Sequence, residues 1–141
     1  YIPAKRDFSQ RHYESDWYNS THYSLVVESI VYVDGFVTEK TFKPIMYGHP
    51  FMVYGNPGSL QRLESWGFKT FEDLFDQSYD LEQDNAKRLE LITAQIQNFK
   101  SVSETTVQKT KHNFDRFWDD DVVRNYYYQD LILPILNFVT D

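Results

Sequence analysis

Glutamate and lysine stand side by side at positions 39 and 40, directly after Thr38. The three residues read as a helix start, with Thr38 as the N-cap. At such a place, free backbone N–H groups and the positive end of the helix macrodipole favour anions. A lysine in that turn adds a mobile point charge suited to a phosphate oxygen. The adjacent glutamate is favoured by the dipole, and its two oxygens can also accept from a diol such as a ribose 2′,3′ pair. Acid and base together could clamp a nucleoside diphosphate. The plainer reading is a solvated first turn with Glu39 placed for the dipole alone. Glu28 closes a short apolar run upstream and lies on the same expected edge, where its plainer role is pairing with a nearby base. Tyr54-Gly55-Asn56-Pro57-Gly58-Ser59 lies there too, a loop whose glycines permit close backbone approach or simply a strand-to-helix turn.

The elements that would position these residues follow from pattern. Residues 1–22 are polar and aromatic and read as an irregular lead-in, with a helix around Gln10 to Tyr18. YSLVVES, residues 23–29, is a β-branched run that reads as a buried strand. Asp34-Gly35 signals a turn in the loop that follows. The helix expected from about Glu39 to Tyr47 has a hydrophobic-staple pair, Val37 and Phe42, and ends at Gly48 before Pro50. Pro44 falls beyond its first turn and removes the donor for the Lys40 carbonyl. FMVY, residues 51–54, reads as a second buried strand. Asn56-Pro57 reads as a cap and a first-position proline for a short helix through Trp66. Strand, helix, strand, helix with short connections is the pattern of βαβ units on a parallel sheet. The fold class expected is therefore α/β, a small parallel sheet in a Rossmann-like half domain, followed by C-terminal helices.

Beyond residue 66 the pattern changes. GFKTF, residues 67–71, reads as a third short strand or an extended loop, and FEDLFDQSYD as a loop with a helical turn. Leu89, Ile92, Ile96 and Phe99 share one face of a helix expected from about Leu81 to Lys100. Ser103 can cap another helix, with Val107, Thr110, Phe114, Phe117 and Trp118 at helical spacing. A last helix is expected near Asp121 to Phe138. The organisation read from this is one α/β domain over 1–141: a lead-in to residue 22, a nucleotide-binding core over 23–80 and a helical appendage over 81–141.

Composition narrows the function classes. With 41% apolar and 18% aromatic residues, the chain can bury a core. Its formal charge of −7 argues against a nucleic-acid groove, which needs a basic stripe, but not against a small phosphorylated ligand. There are no cysteines, no run long enough to span a membrane and no signal peptide, a combination that fits a cytoplasmic protein. A first residue of Tyr1 rather than Met suggests a fragment. The histidines at 12, 22, 49 and 112 lack metal-ligand spacing, so neither metal nor cofactor is expected. Of these, His49 is the one placed beside the expected cleft. Asp119-Asp120-Asp121 matches an Asp-x-Asp metal motif but joins two helical patterns, where capping is its role. Tyr126-Tyr127-Tyr128 cannot all face one side of a helix, so at least one should be exposed or meet a partner.

VESIVYVDGFVTEKTFKPIMYGHPFMVYG, residues 27–55, resembles the donor-binding segment of the α-1,3-fucosyltransferases. In that family an acidic residue ends a strand, a loop follows, and Thr-Glu-Lys opens a helix leading to the next strand. Glu28, Thr38, Glu39, Lys40, Pro50 and Gly55 occupy the matching positions. More broadly the segment resembles the C-terminal lobe of two-lobed GT-B glycosyltransferases, which bind a nucleotide-sugar. The resemblance implies that Glu39 holds ribose hydroxyls and Lys40 a phosphate oxygen. It places substrate-binding residues at Glu28, Ser29, Thr38, Glu39, Lys40, Tyr54, Gly55 and Asn56. Ser29-Ile30 stands where the family usually has Asn-Ser, and Phe36 where it has a tyrosine. The acceptor lobe has no counterpart in these residues, so the catalytic residue and the acceptor are unknown. The partners implied are a nucleotide-sugar donor and either an N-terminal lobe or a second copy of the chain. The alternative function is a non-catalytic α/β scaffold that mediates oligomerisation or protein contact.

Overall fold

The computed structural model describes residues 17–29 and 37–119. Most of the lead-in helix, Asp34-Gly35, Phe36, Asp120-Asp121, the tyrosines at 126–128 and the last expected helix lie outside them. Two parallel strands, β1 (Ser24–Val27) and β2 (Phe51–Tyr54), pair in the register Ser24–Phe51 through Val27–Tyr54. Between them runs α1 (Glu39–Met46), and after β2 come α2 (Ser59–Ser65), a 3-10 turn (Ser78–Leu81), α3 (Asn85–Gln97) and α4 (Glu104–Phe117). A helical turn over 17–20 precedes β1. The class is mixed α/β with a parallel sheet and C-terminal helices, as the pattern implied. Among the described residues no helix is long and apolar enough to cross a membrane.

Local chemistry accounts for most boundaries. Thr38 takes extended backbone angles and accepts the Lys40 N–H with its hydroxyl, which starts α1. Val37 is buried and Phe42 packs against the core, as a staple requires. At the other end the His49 N–H donates to the Pro44 carbonyl and the Gly48 N–H to that of Ile45, while Gly48 is left-handed at φ 61°. That pair of bonds is a Schellman motif, in which glycine avoids the Cβ clash. Pro44 lies inside α1 and is buried there.

The start of α2 differs from the expected cap. Asn56 and Pro57 sit in a turn: the Asn56 carbonyl accepts from Ser59 N–H, and Gly58 has φ 80° and ψ 9°. Those are the angles of the third residue of a type II turn, with proline second. The helix has no side-chain cap of its own. Its Leu60 and Gln61 N–H groups are instead taken at 3.0 and 3.4 Å by the carboxylate of buried Asp80. Burial pushes the Asp80 carboxyl up from its ordinary value against those two bonds.

The core lies between the sheet and the helices: Val26, Ile45, Met52, Val53, Leu60, Leu63, Phe71, Phe75 and Ile92 are all buried. GFKTF is not a strand. Asn113 of α4 receives the Lys69 N–H at 2.7 Å and donates to the Lys69 carbonyl at 2.8 Å, as a neighbouring strand would do. His112 bonds to the Gly67 carbonyl, and the Arg116 Nε donates to that of Trp66. Thr106 and Lys109 hold Asp73 in the next loop. Burial opposes the charge on Asp73, but Lys109 and Thr106 hold its carboxyl below the ordinary value.

This polar work shifts α4 only in part from the face expected: Thr110 is buried and Phe117 packs against the core as expected. Thr106, Thr110 and Asn113 are buried, whereas Val107 and Phe114 are exposed. In α3 the correction is similar. Ile92 is buried and Phe99 packs on the core, but Leu89 and Ile96 are exposed, and the buried neighbour is Arg88, only 1% accessible. Arg88 donates to the Glu82 carbonyl and to the Asn85 side chain, and its guanidinium lies 5.8 Å from the Tyr54 ring centroid.

Asp80→Ala should destabilise the chain by about 1–2 kcal/mol, because two helix-end donors lose their acceptor. Asp80 is held above its ordinary value of 3.8, so its contribution is fullest below that value and declines as pH rises through the raised one. Urea unfolding across pH 3 to 7 should show that decline in the native chain and its loss in Asp80→Asn.

Candidate functional site

The rim to which β1, α1 and the loop after β2 contribute is organised by Glu28. The Glu28 N–H donates to the Tyr54 carbonyl at 2.9 Å and so extends the parallel ladder by one residue. The side chain is 3% exposed. One carboxylate oxygen accepts the Thr38 N–H at 3.0 Å and the Thr41 hydroxyl at 2.7 Å; the other accepts the Thr38 hydroxyl at 2.5 Å. Thr41 is wholly buried. Three protein donors therefore converge on the carboxylate, which locks the end of β1 to the start of α1. This is a positioning arrangement rather than an open ligand contact.

The same bonds account for most donors at the helix end. Thr38 N–H goes to Glu28, Lys40 N–H to the Thr38 hydroxyl at 3.3 Å, and Thr41 N–H to the Thr38 carbonyl at 3.1 Å. The Glu39 N–H has no partner among the described residues. The helix start thus offers a ligand far fewer backbone donors than an uncapped end would.

Lys40 reaches back across the rim. Its ammonium donates to the Ser29 hydroxyl and, at 3.4 Å, to the Val27 carbonyl. It makes no ion pair with Glu28. Glu39 is exposed, and its carboxylate has no partner among the described residues. The acid and base of the opening pair therefore part: the base folds over the end of β1 while the acid stands in solvent beside it.

Gly55 completes the arrangement. A Cβ there would lie 3.0 Å from the Ser59 hydroxyl, 3.3 Å from a Val53 methyl and 3.4 Å from the Glu28 Cγ. The tight contacts are with Ser59 and Val53, and the loop also runs within ordinary van der Waals distance of Glu28. Two other expected residues turn elsewhere. Tyr54 points to the start of α3, where its hydroxyl donates to the Asn85 carbonyl at 3.4 Å. Asn56 is buried in its own turn, with its carbonyl accepting from Ser59. The structure thus gathers Glu28, Ser29, Thr38, Lys40 and Gly55 and leaves Tyr54 and Asn56 aside.

His49 belongs to the opposite end of the sheet, not to the cleft. Its Nε2 donates to the Thr21 carbonyl at 3.0 Å, which makes Nδ1 the acceptor for the Ser24 hydroxyl at 2.9 Å. Burial lowers its pKa and keeps the ring neutral. Among the described residues no group of three histidines or acids could hold a metal ion.

Thr41 was missed from sequence. Its signal was available: threonines at the N-cap and the third helical position, with an acid closing the strand before. No family model matches this chain, and no curated protein or solved structure matches it.

Thr41→Val, nearly isosteric, should cost about 1.5 kcal/mol because one bond to the buried carboxylate is lost. Glu28→Ala should cost more, about 3 kcal/mol, by leaving several buried donors unpaired. Guanidinium unfolding of both variants gives the ranking, and a reversed order would refute the role assigned to Glu28.

Proposed function

We propose that this chain is the donor-binding part of a glycosyltransferase and binds a nucleoside-diphosphate sugar at the rim formed by β1, α1 and the Gly55 loop. The observation that carries this reading is Lys40. Its ammonium rests on two neutral oxygens at the carboxyl end of a parallel strand, the place where open α/β sheets hold ligands. Neither oxygen neutralises it, so an incoming phosphate can take the lysine from them. The exposed Glu39 carboxylate, one residue away, supplies acceptors for a vicinal diol. Glu28 and Thr38 act indirectly, by fixing where the helix begins and hence where residues 39 and 40 project. The resemblance of residues 27–55 to the α-1,3-fucosyltransferase donor segment points to the same ligand class.

The chemistry is displacement of the nucleoside diphosphate from the sugar's anomeric carbon by an acceptor hydroxyl. As the bond breaks, charge grows on the leaving diphosphate. A lysine already placed beside it stabilises that charge without reorganisation. Lys40 thus aids departure, while the base that deprotonates the acceptor must come from elsewhere.

Titration of UDP and GDP by calorimetry tests this. Saturable binding of one of them is expected, weakened about tenfold or more in Lys40→Ala by loss of a charged hydrogen bond. Glu39→Gln should weaken the nucleoside diphosphate but not inorganic pyrophosphate, which has no ribose. Absence of binding by either nucleotide, or equal binding by the folded Lys40→Ala chain, would remove the proposal.

A further inference from the structure

His49 stands at the amino end of the sheet, away from the rim, and its two ring nitrogens have separate tasks. The Thr21 hydroxyl donates to the Trp17 carbonyl at 2.8 Å, so toward His49 it can only accept. Nε2 faces that hydroxyl oxygen at 3.3 Å and the Thr21 carbonyl at 3.0 Å, two acceptors, and therefore carries the ring proton. Nδ1 is then a lone pair, and the Ser24 hydroxyl, 2.9 Å away, donates to it. The residue is 7% exposed and is fixed in addition by its own N–H on the Pro44 carbonyl at 2.9 Å. A hydroxyl on an imidazole lone pair, with the ring oriented from its far side by a third group, is the arrangement that activates a serine.

Ser24 is half-buried and opens on a groove of about 390 Å³ whose walls include Thr21, Leu25 and Val27. Leu25 and Val27 are 40% and 52% exposed and put an apolar wall beside the hydroxyl. Ser24 N–H donates to the Pro50 carbonyl and Glu28 N–H to that of Tyr54, so the even-numbered residues of β1 make the bonds to β2. The Leu25 N–H consequently points out of the ladder. As the residue after Ser24, it is the donor placed to meet an oxyanion on a carbonyl that Ser24 attacks.

We propose that Ser24 and His49 form a nucleophile–base pair that cleaves short aliphatic carboxylic esters. Ser24 Oγ adds to the ester carbonyl while its proton passes to His49 Nδ1, and the Leu25 N–H receives the oxyanion. The ester C–O bond then breaks, and the leaving alcohol takes the proton from Nδ1. Water gives a proton to Nδ1 and attacks the acyl-Ser24 carbonyl. The bond to Oγ breaks, and the proton returns to Ser24. The orienting group is a carbonyl, not a carboxylate, so the imidazolium gains little stabilisation and esters with good leaving groups are the substrates. The inference does not rest on nucleotide binding.

The test is incubation of the 141-residue chain with p-nitrophenyl acetate, followed by release of p-nitrophenol and by peptide mass spectrometry. An acetyl group on Ser24 is expected in the native chain and none in the urea-unfolded chain. Ser24→Ala and His49→Gln should each slow release about a hundredfold. The pH profile identifies the base. Burial lowers the His49 pKa from 6.5 by more than the backbone acceptors at Thr21 and Pro50 raise it, and His22 adds to the lowering. Tyr18, edge-on at 5.3 Å, is the other titratable ring against it. The neutral ring is the base, so the rate should climb through a pKa below 6.5 and stay level above it. If His49→Gln fails to fold, Ser24→Ala and the pH profile decide. Release no faster than in buffer, release unchanged in folded Ser24→Ala, or acetyl groups on lysine or tyrosine alone would overturn the proposal. So would a rate that keeps climbing well above pH 6.5.

Discussion

The rim depends on one buried carboxylate. Glu28 continues the strand with its backbone and holds the start of α1 with its side chain, so a single residue sets both the last rung of the ladder and the first turn of the helix. A buried acid is costly unless its oxygens are bonded, and here both are. That requirement makes the geometry specific. If α1 slid by one residue, Thr38 and Thr41 would leave the carboxylate and several buried groups would lose partners together. The direction in which Glu39 and Lys40 project is therefore inherited from Glu28.

The same device recurs through the molecule. Asp80 caps a helix twenty residues before it in sequence, Asn113 serves as a strand for Lys69, and Arg88 ties the loop before α3 to Tyr54. Each is a polar side chain from one element satisfying the backbone or ring of another. With two short strands among the described residues, the sheet does not make these connections by ladder bonds, and side chains make them. At the rim Lys40 is held by neutral oxygens, and Glu39 is exposed beside it.

Much of this could be read from residue types. Both strands, the Thr38 cap, the Val37–Phe42 staple and the Gly48 stop follow from short-range rules, because each is set by neighbours within a few positions. Ser103 capped its helix as its type implied. The inward faces of α3 and α4 were read only in part: Ile92, Phe99, Thr110 and Phe117 turn inward as expected, whereas Leu89, Ile96, Val107 and Phe114 do not. Apolar spacing assumes that a helix turns its most hydrophobic stripe to the core. In α4 part of that stripe, Val107 and Phe114, gave way to Thr106, Asn113 and Arg116, whose bonds to the 66–73 segment hold their side of the helix against it. The GFKTF run was ambiguous for the same reason: an extended backbone needs a partner, and whether that is a strand or an asparagine is not a local matter. The cap of α2 was placed on Asn56, the nearest suitable type, when the acceptor was Asp80, far along the chain.

Sequence alone determined which residues could do chemistry at the helix start, and that the chain would form a parallel α/β unit. Helix starts, helix stops and the existence of the strands are decided by contacts between near neighbours, whose effects are written in adjacent letters; the burial expected of β1 is not, for Leu25 and Val27 are exposed. Tertiary structure decided the rest: that the Glu28 carboxylate is buried among protein donors, that Lys40 folds back over β1 while Glu39 is exposed, and that Leu25 and Val27 of β1 are exposed. Those outcomes turn on which distant donors find which acceptors once the core has closed, and that competition is settled in space rather than along the chain.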